Sequence, residues 1–217
     1  MSTMITDELA TAFSSKRLLY RAVGNNEADK RFLYTQIVNN PINTALSDLT
    51  LVLPRSEGAA EKLIEGLSKA TMGLMVCLRE ESSPGEDGMD KTDMPPTEPI
   101  PIGFVVLGWG GTPFDHARHR STSIGIYLAV SYQGRGYGTE IINWTLDWAF
   151  RHGGYHRVGI RTVSYNVRAQ HLYKKLGFVE EGRNRESHWY DRKWHDTVSY
   201  GLLEGEWENI RGPQGTL

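Results

Sequence analysis

From Ser121 to Thr139 the chain reads Ser-Thr-Ser-Ile-Gly-Ile-Tyr-Leu-Ala-Val-Ser-Tyr-Gln-Gly-Arg-Gly-Tyr-Gly-Thr. Ile124, Ile126, Leu128 and Val130 make an apolar, largely β-branched run of strand type. Gly134, Gly136 and Gly138 break it, and a helical pattern starts immediately afterwards. A strand, a glycine loop and a helix N-terminus in that order suit an anion. Glycines permit positive φ and close approach of backbone N–H groups, and the helix dipole favours negative charge. Arg135 adds a fixed cation at the same place.

The expected anion is a phosphate, and two common nucleotide loops do not fit. A Walker A loop needs Gly-Lys-Ser or Gly-Lys-Thr at its end, and neither occurs in the chain. A Rossmann fingerprint needs a glycine where Thr139 stands and an acid after the next strand, where Val163, Ser164 and Tyr165 are found. Gln133-Gly134-Arg135-Gly136-Tyr137-Gly138 resembles instead the QxxGxG/A pyrophosphate loop of the GNAT acyltransferase superfamily. That resemblance implies acetyl-coenzyme A as the ligand of the loop.

A second segment, Asn166-Val167-Arg168-Ala169-Gln170-His171-Leu172-Tyr173-Lys174-Lys175-Leu176-Gly177-Phe178, reads as a helix capped by Asn166 and ended by Gly177, followed by a strand from Phe178 to Glu181. Asn166 and Tyr173 are seven residues apart and share one helix face. The segment resembles the NxxAxxLYxKxGF stretch of GNAT enzymes. In that family the shared face looks onto a gap between two splayed parallel strands, here those near Leu128 and Ile160, which takes the pantetheine arm. Farther on, the stretch from Trp194 to Trp207 resembles the closing strand of the branch containing ribosomal-protein alanine and spermidine N-acetyltransferases. The resemblance implies an α+β fold with a mixed, mostly antiparallel central sheet of six to seven strands. Helices cover both faces, and strands four and five are parallel and splayed.

At 217 residues the chain is expected to be one domain, 1–217. A hydrophobic share of 39%, a charged share of 23% and a net charge of -2 describe a globular chain with no general attraction to nucleic acid or membrane. Cys77 is the only cysteine; within Leu74-Met75-Val76-Cys77-Leu78 it reads as a small buried hydrophobe, which excludes an internal disulfide. His116 and His119 have a metal-compatible spacing without a third ligand, so a solvated loop and no metal are expected. No signal-peptide or bilayer-spanning run is found, which suits the cytoplasm, with the nucleus also open.

In chain order, residues 1–15 read as a polar arm, Lys16 to Val23 as a first strand, and Glu27 to Val38 as a helix stopped by Pro41. Asn43 to Pro54 reads either as a short strand through Leu49, Leu51 and Leu53 or as a loop beside the substrate. A helix over Ser56 to Lys69 and a strand over Gly73 to Arg79 follow. Residues 80–99, rich in acids and proline, read as a flexible insertion between two antiparallel strands, or as an acidic lip that attracts a cationic acceptor. Ile102 to Trp109 is a strand, 110–120 a loop, Thr139 to His152 a helix, Arg157 to Val163 a strand and 208–217 a tail. Trp144 and Phe150 broaden the helix stripe, toward either a thick core or a partner subunit, so a homodimer is an open expectation.

The chemistry implied by the resemblance is acetyl transfer from acetyl-CoA to a primary amine of a small molecule, protein or peptide, by direct attack in a ternary complex. Leu128, Ala129 and Val130, the loop Gln133, Gly134, Arg135, Gly136, Tyr137, Gly138 and Thr139, and Asn166 and Tyr173 are the implied cofactor contacts. Tyr173 would protonate the departing thiolate. An alkyl ammonium must first lose a proton, because its pKa is about 10.4. Many family members carry a Glu for this where Ser123 stands. Counting six residues from Gly182, as in the resembling branch, points to His188 as base, with Glu186 orienting it; the other reading is a surface histidine beside Trp189 and Tyr190. Trp189, Tyr190 and Trp194 read as an acceptor pocket or as core, and loops 43–55, 110–120 and 183–193 as the selectors of the acceptor. Ser123 also leaves room for a second class, a non-catalytic acyl-CoA-binding module.

Overall fold

The computed structural model describes residues 9–47, 50–79 and 99–212. Its elements are β1 (Leu18–Ala22), α1 (Glu27–Phe32, continued by a π-helical turn Leu33–Val38), α2 (Pro41–Ser47), α3 (Gly58–Lys69), β2 (Met72–Leu78), β3 (Pro101–Leu107), β4 (Ser121–Leu128), α4 (Tyr137–Asp147, continued by a π-helical turn Trp148–His152), β5 (Arg157–Val163), α5 (Val167–Lys175), β6 (Val179–Tyr190), β7 (Lys193–Leu203) and α6 (Glu204–Arg211). The strands form one mixed sheet in the order β1-β2-β3-β4-β5-β7-β6. All neighbours are antiparallel except β4 and β5, which are parallel. This is the expected α+β architecture.

Strand alternation divides the core in two. Met75, Cys77, Phe104 and Val106 face Leu33 and Ile37 after α1 and Ala60, Ile64 and Leu67 of α3. Val76, Val105 and Leu107 point the other way, toward Ile141, Ile142 and Leu146 of α4 and Trp207 of α6. Each such side chain contributes about 1.5–3 kcal/mol on burial, so both helical layers are held by the sheet. Cys77 is fully buried, as its apolar neighbours suggest. Among the described residues, no helix is long and apolar enough to cross a membrane.

Several elements differ from the reading of the sequence. The helical stretch from Glu27 ends at Val38, before Pro41, as expected; what the sequence reading lacked is that Pro41 also opens α2, because Asn40 accepts hydrogen bonds from the Ile42 and Asn43 amides (3.0 and 3.2 Å) and proline suits the first helical position. Residues 43–47 are therefore helix, and 51–54 are neither strand nor buried. The stretch 183–193 is not a loop but the body of a β6–β7 hairpin, closed at Asp191 and Arg192, both with positive φ. The expected tail begins instead as α6, which buries Trp207 and Arg211; both side chains bond Asp147 of α4, at 3.0 and 3.3 Å. Within 110–120, Phe114–His119 is a 3-10 segment, and His116 and His119 are exposed.

Trp144 lies on Tyr20, with ring centroids 3.7 Å apart, and donates Nε1 to Ala12 O, so the start of the described chain covers it. Phe150 packs on Trp207. The expected insertion 80–99 lies outside the described residues up to position 98, as do residues 1–8 of the arm and 213–217 of the tail.

Candidate active site

The parallel pair β4 and β5 is hydrogen-bonded at three positions, Ser121 with Arg157, Thr122 with Val158 and Ser123 with Gly159. Beyond them the strands separate, and a gap opens between Ile124–Leu128 and Ile160–Val163. The β3–β4 ladder shows which amides face it. Gly108 N bonds Ser123 O and Ala129 N bonds Ile102 O, both at 2.9 Å, so odd-numbered residues of β4 pair with β3. The Ile124, Ile126 and Leu128 amides are then turned to the gap, whereas the Ala129 N–H is engaged on β3.

β4 runs through a 3-10 turn, Val130–Tyr132, into the glycine loop. Gly134 and Gly136 have φ of 75° and 82°, a region closed to most side chains; Gly136 caps α4 without a side-chain bond. The Tyr137, Gly138 and Thr139 amides thus begin a helix without intrahelical partners, and a Cβ on Gly134 would meet nothing within 4 Å. This open cradle of donors fits a diphosphate. Arg135 is exposed beside it, 5.8 Å from the Tyr132 ring. Gln133 acts as a tie: its Nε2 donates to Leu128 O (3.0 Å) and Asn43 Oδ1 (2.9 Å), and its Oε1 accepts from Arg168 (2.6 Å).

At the other side of the gap, Asn166 caps α5 by accepting from the Ala169 amide at 3.2 Å, and its Nδ2 donates to Leu46 O at 3.2 Å. Tyr173 is 6% exposed and meets the rings of Tyr200 and Phe178. Burial, then the neighbouring phenols of Tyr127 and Tyr200, push its hydroxyl well above the usual tyrosine range, so it stays protonated.

Sequence reasoning missed the element that closes this region. The last three residues of α2 offer backbone carbonyls to three side chains around the gap: Tyr165 donates to Ala45, Asn166 to Leu46 and Tyr127 to Ser47 (3.2 Å). Residues 50–56 lie elsewhere, lining a groove of about 780 Å³ with α3 that contains none of the predicted site residues.

His188 is not a surface histidine; it is 8% exposed, and its Nε2 lies 3.1 Å from the Tyr165 hydroxyl. Tyr165 has one proton, and it is on Ala45 O. The phenol oxygen is therefore placed to accept from His188 Nε2–H, with Nδ1 the ring nitrogen not bonded to Tyr165. The group bonded to the His188 ring is Tyr165; Glu186 has positive φ and its amide bonds Asp196. Tyr190 and His195 pack on the Tyr165 ring at 5.2 and 4.7 Å. Trp189 and Trp194 pair with each other at 5.1 Å and are more than half exposed, so of the three aromatics only Tyr190 joins His188. No cluster of three or more metal-type ligands occurs among the described residues.

A glycine cradle thus follows one of two parallel strands that part, and a buried tyrosine lies on the helix that follows the other; residues 95–178 match the Acetyltransferase (GNAT) family. Among individual proteins, the chain is similar to spermidine N(1)-acetyltransferase of Vibrio cholerae, 32% identical over 91 residues, 42% of this chain and 53% of that protein. It is also similar to the SPbeta prophage-derived uncharacterized N-acetyltransferase YokL of Bacillus subtilis, 33% identical over 101 residues, 46% of this chain and 56% of that one. The chain spans about half the length of the curated relatives it matches. Its fold is that of the crystal structure of spermidine N-acetyltransferase from Vibrio cholerae in complex with CoA and spermine (TM-score 0.67, 22% identity, 89% of this chain and 99% of that one). The same holds for the GNAT-family acetyltransferase from Bacillus anthracis (TM-score 0.66, 19% identity, 89% and 98%).

Proposed function

We propose that this chain is an acetyl-CoA-dependent N-acetyltransferase that acylates a primary amine by direct attack within a ternary complex. What supports the reading is the arrangement along the sheet: β4 pairs with β5 only as far as Ser123 and runs on to the Gly134–Thr139 cradle at the start of α4, while Tyr173 is buried on the helix after β5. Acetyl-CoA supplies the acyl thioester when bound. The Tyr137, Gly138 and Thr139 amides and Arg135 hold its diphosphate, and the Leu128 and Val130 amides hold the pantetheine and polarise the reacting carbonyl. His188 Nδ1 takes the proton of the acceptor ammonium, with Tyr165 fixing the ring, and Tyr173 gives its proton to the leaving sulfur. Positioning amine and thioester together contributes on the order of 7 kcal/mol or more to the barrier reduction.

The acceptor class follows from a thiol-release assay with acetyl-CoA against polyamines, amino acids, aminoglycosides, aryl amines and short peptides with free N-termini, with a no-acceptor control. Release above the control with one class is expected, and the similarity to spermidine acetyltransferases puts polyamines first. Acetyl-CoA binding with no release on any amine would instead mark a binding module. In the same assay His188→Ala should lose rate and flatten the acidic limb of the pH profile, because a base fails as it protonates. A variant that keeps both the rate and the limb removes His188 from the mechanism.

A further inference from the structure

Arg17 stands one residue before β1, 118 positions from the glycine loop it touches. Its guanidinium Nε donates to Glu140 Oε2 at 2.7 Å, and Nη1 donates to the Arg135 carbonyl at 3.1 Å, inside the loop. The guanidinium carbon lies 4.3 Å from the centre of the Tyr137 ring. Nη2 sits over Gly136, 3.4 Å from where a Cβ would be. Glu140 is fixed in turn: its Oε1 accepts from the Arg17 amide and from the Ser15 hydroxyl, both at 2.7 Å. Burial alone would push this carboxyl up, but these bonds hold it below the usual carboxylate range, so it stays an anion that orients Arg17. A cation beside a helix N-terminus is unfavourable by itself, because both are positive. Glu140 offsets that repulsion and leaves the outer edge of the guanidinium to solvent and the cradle.

We propose that Arg17 is a cofactor-binding residue that locks the Arg135 carbonyl away from the anion and presents Nη2 to the diphosphate of acetyl-CoA. The assignment rests on the acetyl-CoA reading above. It makes the segment before β1 part of the cofactor site, with Arg17 and Arg135 as cations on either side of the loop, while Arg168 is turned to Gln133.

The test compares three donors that differ only in phosphate: acetyl-CoA, acetyl-dephospho-CoA, which keeps the diphosphate, and S-acetylpantetheine, which has none. A wild-type titration with acetyl-CoA comes first; absence of binding there fails the acetyl-CoA reading and not the role of Arg17. For Arg17→Ala, whose main-chain bond to Glu140 survives, KM for acetyl-CoA and acetyl-dephospho-CoA should rise about tenfold or more, as for a lost hydrogen bond to a charged group. Both kcat and the rate constant with S-acetylpantetheine should stay within about twofold of wild type. Arg17→Lys should recover only part of the loss, since an ammonium cannot serve Glu140, Arg135 and a phosphate in one plane. Equal losses with all three donors would make Arg17 a structural brace, a loss confined to acetyl-CoA would assign it to the 3′-phosphate, and unchanged KM would remove it; each overturns the proposal. If Arg17→Ala does not fold, the same comparison on Arg17→Lys decides.

Discussion

Gly136→Val should abolish acetyl-CoA binding, raising Kd by about a hundredfold or more in a calorimetric titration, while the protein remains folded. Gly136 has a φ of 82°, and a β-branched residue there is a true outlier. Forcing it costs on the order of 1–3 kcal/mol, which a domain with two filled core layers survives as a lower Tm. Binding suffers more. To relieve the strain the loop must rotate the peptides on either side, which turns the amides at the start of α4 away from the diphosphate, and each charged hydrogen bond lost costs about 1.5–3 kcal/mol. The new methyls would also press on Arg17 Nη2. Gly138 supplies the control. It lies within α4 without positive φ, and a Cβ there would make an ordinary 3.5 Å contact with Leu172. Gly138→Ala should therefore bind within a few-fold of wild type. Normal binding by Gly136→Val would refute the assignment of the loop.

The features legible in the sequence were those carried by local signals. Glycines at Gly134 and Gly136, the Asn166 cap and the helical spacing of Asn166 and Tyr173 are each decided within a few residues, and the structure forms a loop, a cap and a shared helix there. The long hairpin was not legible for the opposite reason. Arg183 to Ser187 are exposed on both strand faces, so no apolar alternation distinguishes them from a loop. α2 was readable in principle from Asn40-Pro41, a cap followed by a first-turn proline, but the same proline also fits a helix end. Contacts between distant segments left no trace at all: Tyr165 on Ala45, Gln133 on Asn43 and Arg17 on Arg135 span 120, 90 and 118 positions. His188 was found only by counting from a resemblance, and the contact that holds its ring, Tyr165 beside the cap Asn166, belongs to that invisible class.

Tyr173→Phe should lower kcat by about a hundredfold or more, within the range for loss of a positioned general acid, with KM for acetyl-CoA little changed. The ring is what packs: it contacts Phe178 and Tyr200, and phenylalanine keeps both contacts, so a loss of turnover cannot be charged to unfolding. In the proposed mechanism the hydroxyl is what reacts. Burial, reinforced by the phenols of Tyr127 and Tyr200, pushes its pKa up, which keeps the proton in place on the alkaline side of neutrality. No alkaline decline near neutral pH should then arise from Tyr173, and the limb that moves with pH belongs to the amine or its base. A second readout isolates the step. A general acid matters least when the departing thiolate is already stable, so the deficit of Tyr173→Phe should shrink with acetyl thioesters of more acidic thiols and persist with acetyl-CoA. Tyr200→Phe is the matched control, since its hydroxyl makes only long contacts to Gln170 and Glu180, 3.4 and 3.5 Å, and it should turn over near the wild-type rate. Unchanged turnover in Tyr173→Phe, or a deficit independent of the leaving thiol, would remove the phenol from proton transfer and leave it as a wall of the gap.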